Sequence, residues 1–250
     1  MKMLNFDQYG LLHHAYWQRL LLISDQGNFN FSALDNSRKD RFVDLVYQGF
    51  YPLTALSYHV FRRLDESTER KFHNLLAPIY EAELGIHPLI AGTHYDNVPH
   101  PEQYRRLMQS LRPTSKLKHE IKVRNDYREA IKLDSAGINE LLAYAALVEF
   151  NATVMIQALQ DFTAKWCVAN HFSHRNIEDN FINEHALLEG GESDDQHTSL
   201  MRKLFAEIDS KISAEKFDHA ARHFVEVHHN YLDQIMGQVE VLLPEQVAVQ

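Results

Sequence analysis

Apolar residues recur at helical spacing along almost the whole chain, and the longest such run extends from Ser135 to about Val168. Its apolar positions fall three, four and seven residues apart, which is the pattern of a helix with one buried face. These positions are Leu141, Leu142, Ala145, Ala152, Ile156 and Leu159. We therefore predict that this run forms the central helix of the fold.

The same periodicity predicts helices before and after this central run. Pro52 is expected to kink or break one of them, and Gly85 is the residue type expected just past a helix C-terminus. No segment shows the strict alternation of a strand, so the fold class is predicted to be all-α. The further helices are expected at Leu4–Ile23, Asn36–Leu64, Ser67–Leu84, Pro101–Leu111, Ile177–Leu188, 194–208 after an N-cap at Ser193, and Ser213–Val241.

Composition indicates one domain in a reducing compartment. A chain of 250 residues with 45% hydrophobic content can form a single large core, so we predict one helical domain over residues 1–243 and a flexible tail over residues 244–250. Cys167 is the only cysteine and cannot form an internal disulfide, which is typical of a cytoplasmic protein. The first residues lack the charged region followed by an apolar region that is typical of a signal peptide, and the longest apolar run is too short to span a bilayer.

The charge of the chain argues against nucleic acid as a partner. The formal net charge is -9, and the densest basic stretch, from Lys116 to Lys132, is interleaved with acidic residues. A phosphate backbone would need a continuous basic surface. We therefore expect a cytoplasmic protein that binds neither nucleic acid nor membranes.

Several acidic residues and histidines fall where the helical pattern requires apolar ones. Glu149 is the clearest case, because it follows Ala145 by four residues and precedes Ile156 by seven. A buried carboxylate costs several kcal/mol without compensation, so three of them beside three imidazoles require a counter-charge. Carboxylates and imidazoles contributed by separate helices are how dinuclear iron and manganese sites are built in bundles. The candidate metal ligands are Glu83, His100, Glu149, His185, Asp194 and His197.

Each candidate also has a purely structural interpretation. A histidine on an apolar face is often a hydrogen-bonded core residue, and Glu149 could form a buried ion pair with Arg or Lys. Glu83 and His100 could be a helix-end carboxylate and an N-cap. The set as a whole favours metal, whereas His219 and His223, a second possible pair, are expected to face solvent.

The order and spacing of these residues resemble those of the haem-oxygenase-like di-iron oxidases and oxygenases, which share their helical fold with TenA and PqqC proteins. The resemblance covers about residues 81–204 and starts at Glu83-Leu84-Gly85, continuing through His100 and Glu149 to His185 and the run Asp194-Asp195-Gln196-His197. It implies a single-domain bundle of about seven to nine helices. It also implies that the six candidates ligate two iron ions per chain, Fe(II) or Fe(III), with manganese possible. Among them, Glu83 and Glu149 would be catalytic.

What the resemblance implies about activity is the use of O2 to oxidise a small organic substrate at an amine, a C–H bond or a carboxylic acid. An external electron donor would be needed, and a homodimer is possible. The spacing differs from the family in two places. The long interval before His100 leaves His87 or His94 as alternatives to it, and nine residues separate His185 from Asp194, which leaves Glu189 as an alternative to Asp194.

Two other classes of function remain open. One is a metal-free enzyme of the TenA or PqqC type that acts on a heterocycle by acid/base chemistry, with Cys167 as a possible nucleophile. The other is a non-catalytic helical protein that binds a partner or stores metal. Four aromatic residues near the candidates could line a pocket or carry electrons, although ordinary core packing is the favoured interpretation: Tyr80, Tyr104, Tyr144 and Trp166.

Overall fold

The structure is a computed structural model, and it describes residues 31–86, 98–113, 129, 131–173, 177–178, 181–182, 194–208 and 212–243. Within these ranges the regular structure is helical, which confirms the all-α class. Residues 181–182 belong to a further helical segment, and three short 3₁₀ turns lie at Phe31–Ala33, Arg70–Phe72 and Leu133–Ser135. The six α-helices with defined bounds are α1 (Asn36–Ser67), α2 (His73–Glu83), α3 (His100–Ser110), α4 (Ile138–Asn170), α5 (Asp194–Ile208) and α6 (Ala214–Leu242).

Helix α1 is one continuous helix, so the predicted break at Pro52 does not occur. Proline has no N–H, and the carbonyl of Gln48, four residues earlier, therefore lacks its usual helical donor. The hydroxyl of Tyr231 on α6 donates a hydrogen bond of 2.7 Å to this carbonyl oxygen. A contact from another helix thus replaces the missing helical bond.

The end of α2 and the start of α3 are held close together by Gly85. Its φ of +76° lies in the left-handed region, which glycine adopts without steric cost. A Cβ at this position would overlap the backbone of Val98, because the two chain segments approach each other closely there. This approach brings the last residue of α2, Glu83, near the first residue of α3, His100.

Helix α4 is the central helix that the sequence predicts. It contacts α1, α5 and α6, and α1 in turn contacts α2, α3 and α6. Leu141, Leu142, Ala145, Ile156 and Leu159 are all buried, as their spacing predicts. Helix α4 therefore places a polar residue on this face, such as Glu149, in the middle of the bundle.

Other predicted boundaries are close to the observed ones. Helix α6 begins one residue after Ser213, whose hydroxyl caps the amide of Lys216. Ser67 ends α1, whereas the periodicity placed it at the start of the next helix. The predicted helix at Leu4–Ile23 and the tail at residues 244–250 lie outside the described residues. In the part of the chain that is described, no helix is both long enough and apolar enough to cross a membrane.

Candidate metal centre

Three of the six predicted ligands line one cavity between the first four helices. Glu83 ends α2, His100 begins α3, and Glu149 lies in the N-terminal half of α4. The volume of the cavity is about 30 Å³. Since roughly 10–15 Å³ suffices for one water molecule, the space can hold small species such as water or metal ions.

Glu83 and His100 form a buried, hydrogen-bonded pair. The Nδ1 atom of His100 lies 3.1 Å from Oε2 of Glu83, and the two side chains are 4% and 12% exposed. An ionised carboxylate only accepts hydrogen bonds, so the shared proton belongs to Nδ1 in that state. This pair leaves neither side chain facing bulk water.

The other carboxylate oxygen of Glu83 is held by Ser57 of α1. The Ser57 hydroxyl donates a hydrogen bond of 2.6 Å to Oε1 of Glu83. Glu83 therefore accepts one bond at each oxygen, from α1 on one side and from α3 on the other. Two donors offset part of the cost of burying the carboxylate.

The rest of the cavity wall is mostly apolar. The ring of Phe181 stands edge-on to that of His100, with centroids 5.9 Å apart and an interplanar angle of 85°. Thr54 adds a second hydroxyl from α1. Such walls limit access of water to the polar groups. The apolar lining residues are Leu53, Val148, Ala152, Met155 and Phe181.

Glu149 is half-buried and contributes the second carboxylate of the cavity. Among the described residues, no three side chains of His, Cys, Asp or Glu approach closely enough to form a complete metal site. The described part of the site is therefore a close Glu83–His100 pair with one further carboxylate on the same cavity. The fragment agrees in residue type with the first half of the predicted ligand set.

The other three predicted ligands, His185, Asp194 and His197, lie outside the described residues or have side chains that are not described. His185 is outside the described residues, as are the alternatives Glu189, His87 and His94. Asp194 and His197 belong to α5, but their side chains are not described. Helix α5 contacts both α2 and α4, the helices that carry Glu83 and Glu149.

Ser57 and Thr54 also line the cavity, and the helical pattern alone does not single them out. Both are buried polar residues on α1, at 3% and 4% exposure, among the apolar residues Leu53, Leu56 and Val60. The signal that could have found them is the same one that found Glu149. A polar side chain on an apolar helix face indicates a polar partner inside the fold, although serine and threonine give a weaker signal than glutamate.

The aromatic residues singled out in the sequence serve mainly as packed, hydrogen-bonded core groups. Tyr104 donates to the carbonyl of Val46 at 3.1 Å, and Tyr144 donates to that of Ile131 at 2.8 Å. Trp166 donates from its indole nitrogen to the carbonyl of Leu111 at 2.9 Å. Tyr80 is half-buried beside Tyr58. None of the four is among the described residues that line the cavity.

Cys167 does not have the environment of a nucleophile. It is buried, and burial raises the pKa of its thiol to about 11. A nucleophilic cysteine instead needs a depressed pKa and access to substrate. His219 is exposed, as predicted, and His223 is half-buried.

Comparison with known proteins identifies no relative of this chain. No family model matches the chain, and neither the curated proteins nor the solved structures contain a match. The resemblance to the haem-oxygenase-like di-iron proteins therefore rests on the residues and their order alone.

Proposed function

We propose that this protein is a non-haem iron oxidase or oxygenase, and that the cavity lined by Glu83, His100 and Glu149 is its metal centre. The observation that carries the proposal is that these three residues, predicted as ligands from separate parts of the sequence, line a single cavity. Carboxylate oxygens and imidazole nitrogens are suitable ligands for iron and manganese. We propose two iron ions per chain, with manganese as the possible substitute.

The donor pair suits a metal ion in its chemistry. Nδ1 of His100 and Oε2 of Glu83 are an imidazole nitrogen and a carboxylate oxygen 3.1 Å apart on the same cavity, and both could hold an ion once the shared proton leaves. The burial of this pair adds a reason for a cation, since a metal ion would compensate the charge of Glu83.

In this proposal the residues of the chain have separate tasks. Glu83, His100 and Glu149 hold the metal, while Leu53, Phe181 and the other apolar side chains exclude water from it. Bound iron would supply the redox chemistry with O2 that amino-acid side chains lack. The substrate is a small organic molecule oxidised at an amine, a C–H bond or a carboxylic acid, and an external donor supplies electrons.

The proposal is tested by anaerobic titration of the purified protein with ferrous iron, followed by addition of O2. We expect close to two irons per chain and oxygen consumption that depends on them. Iron and manganese contents that both stay below about 0.2 per chain after anaerobic loading would exclude a metal centre of this kind. Metal binding without oxygen consumption would instead indicate a non-catalytic metal-binding protein.

A second candidate is favoured by the direct hydrogen bond between Glu83 and His100. A carboxylate that orients a buried imidazole is also the arrangement of a general base, which would suit a metal-free enzyme of the TenA or PqqC type acting on a heterocycle. The two candidates differ in the metal titration, because only the metal-free enzyme is expected to bind no iron. The buried thiol of Cys167 takes no part in either.

A further inference from the structure

Ser57 occupies a position that the predicted ligand set does not explain. It lies on α1, which supplies no carboxylate or imidazole to the described lining of the cavity, and it is only 3% exposed. Its hydroxyl is 2.6 Å from Oε1 of Glu83, at the opposite carboxylate oxygen from the one that faces His100. The three side chains form a continuous hydrogen-bonded row from α1 through α2 to α3.

We propose that Ser57 is a positioning residue that fixes the orientation of Glu83 for metal binding. This inference rests on the proposed function, since it assigns a role in the same centre. Glutamate has three rotatable side-chain bonds, and a single donor at Oε1 restricts the carboxylate to orientations that present Oε2 to His100. Carboxylates that bind metal are commonly held by such an outer hydrogen bond, and loss of such a partner weakens metal binding.

Among the α1 side chains of the described cavity wall, Ser57 has the hydroxyl that is placed to hold Glu83. The remaining contacts of the cavity from α1 are those of Leu53 and Thr54, and the Thr54 hydroxyl donates to the carbonyl of Tyr51 within its own helix. Ser57 is therefore the α1 side chain in the described cavity wall whose hydroxyl reaches Glu83. Alanine at this position would leave Oε1 with one donor fewer and the carboxylate less fixed.

The experiment compares Co²⁺ binding by the wild-type protein and by Ser57→Ala, using the visible absorption of the bound ion. We expect the affinity of Ser57→Ala to be lower by about 10- to 100-fold, with a changed absorption band because Glu83 is no longer held in one orientation. Ser57→Thr retains the hydroxyl and should restore most of the affinity. Thr163→Val is the matched control, since it removes a buried hydroxyl from α4 that does not line the cavity.

The outcomes separate this inference from the proposed function. If the wild-type protein binds no Co²⁺ and no iron, the metal centre itself is wrong. If the wild-type protein binds Co²⁺ and Ser57→Ala binds it with the same affinity and the same spectrum, the centre stands and the role of Ser57 is overturned. Circular dichroism of each variant checks folding; if Ser57→Thr fails to fold because of its added methyl group, the comparison of Ser57→Ala with Thr163→Val decides the question.

Discussion

Helices α1 and α4 face each other in two regions, one filled with aromatic side chains and one that contains a polar cavity. Where the start of α1 meets the end of α4, the space is filled by aromatic rings: Phe31 lies 5.0 Å from Trp166, and Phe42 stacks on Trp166 at 5.9 Å between centroids. Nearer the middle of both helices, the same two helices line the cavity that contains Glu83, His100 and Glu149.

The difference indicates which part of the interface serves stability and which serves chemistry. Aromatic packing stabilises a core through buried area and ring contacts. The carboxylates at the cavity cost desolvation free energy that apolar side chains of similar size would not. A chain that fills one region with rings but keeps charges in another departs from the most stable solution, and such departures are expected at functional sites.

The largest change in stability is expected at the aromatic end. Trp166→Ala removes the ring that contacts Phe31, Phe42 and Phe162, and it also removes the donor to the carbonyl of Leu111. We expect the free energy of unfolding to fall by about 3–5 kcal/mol, measured by urea unfolding followed by circular dichroism. Trp166→Phe keeps a ring and should cost less. A decrease of less than about 1 kcal/mol in the free energy of unfolding of Trp166→Ala would remove the contrast between the aromatic region and the cavity.

At the cavity, a substitution is expected to change activity rather than stability. Glu149→Ala should abolish iron-dependent oxygen consumption while the helical circular dichroism signal stays unchanged, because the residue is a proposed ligand rather than a packing element. Asp161→Ala, on the exposed side of the same helix, is the control. Oxygen consumption at the wild-type rate in Glu149→Ala would exclude this residue from the centre.

Helix α5 carries further predicted ligands of the proposed metal centre. Met201 and Leu204, four and seven residues after His197, are buried, and the helix contacts both α2 and α4. We expect His197→Ala and His185→Ala each to lower iron occupancy by at least one ion per chain, measured after anaerobic loading. Glu189→Ala should do so only if Glu189 is the ligand in place of Asp194. Full occupancy in His197→Ala would place the second half of the centre elsewhere.

A smaller, pH-dependent effect is expected from Cys167, next to Trp166 at the aromatic end. Burial raises the pKa of its thiol to about 11, whereas a thiol in the unfolded chain loses its proton near pH 9. The folded state therefore holds this proton more tightly, and the resulting stability is present below pH 9 and lost as the pH rises through 11. Relative to Cys167→Ala, the wild-type protein should lose at most about 1.4 kcal/mol per pH unit in this window. Equal slopes for the two proteins in urea unfolding between pH 9 and 11 would contradict the assignment.

The sequence predicts the features that depend on a single helix. The face of α4 is unambiguous, because a long periodic run fixes which positions point inward, and Glu149 lies on the cavity as a result. His100 is buried with Tyr104 and Leu107, four and seven residues later, for the same reason. Gly85 marks the end of α2 through a backbone conformation that only glycine adopts easily.

Features that depend on a partner from another helix could not be predicted. Ser57 is one serine among several until Glu83 is known to face it from α2. The carbonyl of Gln48 that Pro52 leaves without a helical donor accepts its hydrogen bond from Tyr231, which is 183 residues away in the sequence. Local propensity predicts a kink or a break at such a proline, and only a tertiary contact can remove that expectation.

The smallest effect concerns this contact, which lies on α1 between the aromatic end and the cavity. Tyr231→Phe removes the donor to the Gln48 carbonyl, and we expect the free energy of unfolding to fall by about 1 kcal/mol. Pro52→Ala restores a backbone N–H four residues after Gln48, so in that background Tyr231→Phe should cost at most half as much. Urea unfolding of the four proteins in this double-mutant cycle measures the coupling. If the cost of Tyr231→Phe is the same with proline or alanine at position 52, the tyrosine does not replace the missing helical bond, and the continuity of α1 between its two ends must come from packing alone.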